Sequence, residues 1–151
     1  MACSAIAYQD LKEREVVWIL FPVLALLLSA LHIFNTQWHQ FLLFSLTNIL
    51  LVSGVLLLLF LYTKHLTRKK FINTSFGLGD LLLFYAFSLG FPTVTFVLLF
   101  VGAILFSLMV FVLFKTRYNP NTVPLAGLMG IFIITVFIVS FLPNIPSLYI
   151  I

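Results

Sequence analysis

Charge is what this sequence has least of. Of 151 residues, eight are lysine or arginine and four are aspartate or glutamate, 8% in all, against about a quarter in a soluble domain. A chain this poor in charge and 63% hydrophobic cannot cover itself with a wetted surface. That excludes the ordinary soluble classes and leaves the bilayer as solvent. Cysteine is almost missing too. The single Cys3 rules out an internal disulfide and the paired-cysteine zinc patterns. The three histidines, His32, His39 and His65, stand apart with no i,i+4 pair, so no metal-ligand spacing is present. No cofactor is implied.

What is there is apolar and continuous. The hydrophobic stretches lack the alternation of barrel strands, which predicts an all-α, polytopic membrane helix bundle forming one domain over residues 1–151. A span needs about 20 apolar residues. Segments 16–34, 41–62, 94–114 and 123–142 meet that requirement, and 76–92 is a weaker fifth. Residues 1–9 amount to a partial sixth span. They read as the last turns of a helix whose beginning is missing, or as a half-span.

The connections sort by charge. Those holding Lys12 and Arg14, then Lys64, Arg68, Lys69 and Lys70, then Lys115 and Arg117 contain all eight basic residues. The intervening connections and the tail contain none, which predicts basic loops on the cytoplasmic side. The net charge of +4 and pI near 9.5 then reflect topology rather than a nucleic-acid partner. Membrane lipid is the expected surroundings, and "KHLTRKK" reads as an orientation signal. Trp38 and Tyr149 are expected at the external interface. The eighteen phenylalanines read as lipid-facing and packing bulk.

The same alternation places the only two aspartates, Asp10 and Asp80, at one membrane face on different helices. Asp80 lies in "SFGLGDLLLFYAF", a carboxylate in apolar surroundings, where an intramembrane acid normally faces a bundle interior or a wet cavity. Asp80 has no cation at i±3 or i±4, so its partner must come from another element, or it must hold a proton. Gly77 and Gly79 would let the backbone loosen, take positive φ or approach a substrate closely. Each acid also has a plain structural reading. Asp10 in "YQDLKER" fits a solvated juxtamembrane turn, and Asp80 fits an N-terminal helix charge. Held a few ångströms apart, two carboxylates share one proton. One then activates a water while the other hydrogen-bonds the scissile carbonyl, as in aspartic peptidases.

At these residues the sequence resembles the type IV prepilin peptidase family, a branch of the GxGD intramembrane aspartyl proteases. Gly77-Leu78-Gly79-Asp80 matches the GxGD motif. "AYQDLKER" followed by "VVWILFP" resembles the segment carrying the first aspartate. "NTVPLAG", with Pro124 and Gly127, resembles the start of the last core helix. The resemblance implies a six-span core with Asp10 and Asp80 as the catalytic dyad and Gly77, Gly79, Arg14 and Pro124 shaping the site. It further implies a bacterial or archaeal inner-membrane location and a prepilin-like leader-peptide substrate cut at the cytoplasmic face. Leu82 stands where family members usually carry lysine, and "EVVW" replaces the usual Pro-Asn after the first aspartate. The cysteine-rich region that accompanies N-methylation has no counterpart, so peptidase chemistry alone is implied. Arg14 could pair with Asp10 or serve as a positive-inside anchor. Asn48 is expected to hydrogen-bond to another helix. The alternatives are an inactive relative acting as a membrane scaffold, and a proton-coupled carrier using Asp80 as relay.

Overall fold

The computed structural model describes residues 2–12, 16–67, 77–114, 125–142 and 148–149. These residues form six α-helices and no strand: α1 (Ala2–Lys12), α2 (Leu20–Asn35), α3 (Trp38–Tyr62), α4 (Leu78–Ser88), α5 (Thr93–Phe114) and α6 (Leu125–Ser140). A π-helical turn, Thr63–Thr67, continues α3.

The buried positions follow the helical repeat. On α2 they are Phe21, Leu24, Leu28 and His32, and on α3 they are Phe41, Ser45, Asn48, Val52 and Leu56. Each set steps by three or four residues and so lies along one face. Between these helices, Thr36 takes an extended conformation. The side chains of Asn35 and Thr36 bond back to the Leu31 and His32 carbonyls, which satisfies groups that the end of α2 leaves free.

α3 and α5 are long and apolar enough to cross a membrane by length and composition, and only 22% of the apolar window in each is buried. The core helix of a soluble protein would be mostly enclosed. Here leucines such as Leu43, Leu50, Leu58, Leu98 and Leu113 are exposed. Phenylalanine fills the interior instead. Phe84, Phe87, Phe91 and Phe96 are fully buried, with Phe84 edge-on to Phe100 at 4.8 Å between ring centres. Of the two roles expected of phenylalanine, lipid-facing and packing bulk, these four take the second, because edge and stacked ring contacts reward their enclosure.

Three expected segments have different bounds. The span expected at 76–92 is an 11-residue helix, about 16 Å long and roughly half a hydrocarbon core. It stops because the chain turns at Leu89–Phe91 before Pro92, which cannot continue a helix from within. The segment expected from residue 16 becomes α-helical at Leu20. The polar "YQDLK", expected as a turn, is the last stretch of α1.

The most extensive helix pair is α1 with α6, followed by α5 with α6 and α2 with α4. Small residues four apart make the first pair close: Cys3 and Ala7 on α1 meet Gly130 on α6. A Cβ on Gly130 would stand 3.3 Å from the Cys3 carbonyl oxygen and 3.6 Å from the Ala7 methyl. This is the small-residue packing typical of helices in lipid.

Candidate active site

The first amides of a helix have no partner within it. At the start of α6, carboxylates from two other helices meet this need. The Gly127 N–H donates to Oδ2 of Asp10 at 2.5 Å, and the Ala126 amide lies near enough to the Asp80 carboxylate to interact with it. Asp10 comes from the last turn of α1 and Asp80 from the first turn of α4. Consecutive residues of α6 thus bring the two acids to one place. They also interact electrostatically. The positive end of the α6 dipole points at the pair.

Local sequence aims each acid. On α1, Ile6 and Ala7 are buried and hold the helix against α6. Lys12 instead donates to the Tyr8 hydroxyl at 2.8 Å and lies over that ring. Asp10 is therefore not the solvated turn residue that "YQDLKER" suggested. It sits half-buried on α6 because α1 stays helical through Lys12.

On α4, Gly77 is the N-cap and Asp80 the third helical residue. The Asp80 carboxylate turns back toward the Gly77 backbone and interacts with its amide, as an acidic residue at this position of a capping box does. The loosened or positive-φ backbone expected at the two glycines is not observed. Gly77 has φ −71° and ψ 138°, which any residue can adopt, and Gly79 is helical. The lack of a side chain is what matters. A Cβ on Gly77 would lie 3.0 Å from Asp80 Oδ2, and one on Gly79 would lie 3.3 Å from the Phe21 ring. Gly77 makes room for the carboxylate, and Gly79 lets α4 approach α2.

The far end of α4 is fastened by side chains. Asn48 donates from Nδ2 to the Ser88 and Phe91 carbonyls, both at 2.9 Å, which is the interhelical role expected of it. His32 Nδ1 lies 3.0 Å from the Leu89 carbonyl. Tyr149, expected at the external interface, packs its ring on His32 and Phe91 with its hydroxyl buried.

Of the expected site residues, Asp10, Asp80, Gly77 and Gly79 come together, while Arg14 and Pro124 lie outside the described residues. Sequence reasoning missed the Ala126 and Gly127 amides and His32. Backbone donors carry no residue signature, although a Pro-Leu-Ala-Gly helix start marks where free amides would be. His32 could have been found as the fourth member of the stripe Phe21, Leu24, Leu28. Among the described residues no three histidine, cysteine, aspartate or glutamate side chains are grouped to hold a metal. Comparison with protein-family models, curated proteins and solved structures finds no match to this chain.

Proposed function

We propose that this protein is a polytopic membrane protein and an intramembrane aspartic endopeptidase resembling the prepilin leader peptidases. Its six helices lie in a bacterial or archaeal cell membrane with the basic connections cytoplasmic. α1 and α4, too short to cross alone, reach in from the cytoplasmic side carrying the acids. The carrying observation is that Asp10 and Asp80, from separate helices, meet consecutive amides of α6, Asp10 through a hydrogen bond from Gly127, and that the two acids interact with each other.

Those amides set the direction of each carboxylate. One acid, ionised, takes a proton from a water as that water attacks the peptide carbonyl. The other, protonated, donates to the carbonyl oxygen and stabilises the charge developing there. The substrate is a leader peptide whose apolar helix shares the bilayer and whose scissile bond reaches the cytoplasmic ends of α1, α4 and α6. The test is cleavage of a co-expressed prepilin-like substrate by the wild type and by Asp10→Asn and Asp80→Asn. Cleavage by the wild type and its loss in both variants supports the reading. Cleavage that survives either change refutes it.

The same contacts favour one second reading. Two carboxylates at a helix start are a sufficient structural device in themselves, as in an inactive relative serving as a membrane scaffold. Such a protein would show no cleavage in the wild type and would keep its partner in both asparagine variants.

A further inference from the structure

Five buried polar atoms surround the end of α4 remote from Asp80: His32 Nε2, Ser45 Oγ, Asn48 Oδ1, Thr93 Oγ1 and the Tyr149 hydroxyl. None has a hydrogen-bond partner among the described residues. Their grouping follows from the bonds beside them. Asn48 holds the Ser88 and Phe91 carbonyls, and His32 holds the Leu89 carbonyl. Ser45 precedes Asn48 by one turn on the same buried face of α3. Thr93 opens α5 two residues beyond Phe91. The Tyr149 ring lies 5.9 Å from that of His32 and 5.8 Å from that of Phe91.

Hydrogen counting defines what such a place would take. A carbonyl only accepts, so the His32–Leu89 contact puts the proton on Nδ1 and leaves Nε2 of the neutral ring as an acceptor. Both hydrogens of Asn48 point at carbonyls, so Oδ1 is likewise left accepting. His32 and Asn48 are both 0% exposed, and unpaired acceptors at that depth are costly. The three hydroxyls can give or receive. Burial pushes the Tyr149 phenol up to about 12, so it stays a neutral hydroxyl. Both acids in the described residues, Asp10 and Asp80, lie at the other end of α4, so nothing here compensates a full cation.

We propose that this end of α4 is an internal hydration site, in which ordered water donates to His32 Nε2 and Asn48 Oδ1 and exchanges hydrogen bonds with Ser45, Thr93 and Tyr149. Water suits it because a buried water makes two to four bonds of either polarity. The site is separate from the aspartate pair and does not depend on its chemistry.

The test uses the whole protein in lipid nanodiscs with 15N-labelled histidine. Only three histidines exist, and His39 and His65 are exposed. His39→Gln and His65→Gln, both surface changes, assign the His32 signals without disturbing the core. Water-edited NMR is expected to deliver magnetisation to the His32 ring on the timescale seen for His39. Nδ1 should be protonated and Nε2 bare with a hydrogen-bonded shift. A His32 ring that receives nothing from water while His39 is saturated overturns the site, as does a neutral ring protonated at Nε2.

Discussion

A methyl group on Gly77 would stand 3.0 Å from Oδ2 of Asp80. The atom it meets is the tip of a side chain, which can swing aside, and the backbone of Gly77 is one that alanine adopts freely. Gly77→Ala should therefore fold like the wild type and re-aim the carboxylate. Cleavage of a prepilin-like substrate should fall about 100-fold, the scale of an ångström's misplacement at a reacting centre. Unfolding temperature and cleavage rate, measured side by side, separate this outcome from general damage.

The paired acids predict equal dependence on both. Asp10→Asn and Asp80→Asn should each lower cleavage by about 10²–10⁴-fold, the range for removing a positioned acid or base. The double variant should be little worse than either single one, because the two act as a unit. Losses that multiply would count against a dyad.

The α1–α6 contact is sensitive to volume. Gly130→Val puts atoms where the Cys3 carbonyl and Ala7 already stand, and overpacking of this kind costs about 1–3 kcal/mol. Cys3, half-buried in this contact, should label faster with a maleimide as α1 is displaced. Labelling at the wild-type rate would show that α6 absorbs the extra atoms without moving α1.

Asn48→Leu removes two bonds to carbonyls, those of Ser88 and Phe91, while keeping the side chain's bulk. Leaving buried acceptors unpaired should cost about 2–3 kcal/mol. Reversible unfolding in detergent should show it as a lowered midpoint. Serine at this position, able to donate only one hydrogen, should recover part of the loss.

Tyr149 gives a signed dependence on pH. Its phenol is raised from the usual 10.0 to about 12 by burial, so between these values the unfolded chain releases a proton that the folded one keeps. Stability from this residue is full below pH 10 and is lost as pH rises through 12. Tyr149→Phe should flatten that decline, as followed by thermal unfolding between pH 9 and 12. Parallel wild-type and variant curves across this window would contradict the burial.

The all-helical character was legible in the sequence, but the lengths of two helices and the setting of the acids were not. α3 and α5 follow from composition because lipid rewards any long apolar run. α4 reads as longer than it is, since Gly90, Phe91 and Pro92 continue the apolar run while the chain has already turned. α1 reads as shorter, since Tyr8, Gln9, Asp10 and Lys12 look like a wet turn, although packing on α6 keeps them helical. Gly77 and Gly79 suggest a freedom of backbone that neither uses; what each contributes is the lack of a side chain. The partner of each acid was illegible because it is an amide, which every residue but proline carries.

α1 and α4 supply the acids, but the place where these acids are held belongs to α6, the last of the six helices to leave the ribosome. Until Ala126 and Gly127 have been added, the nascent chain has both aspartates and nowhere to unite them. Assembly of the pair thus waits on translation of α6, and any product that stops short of residue 126 carries both acids apart.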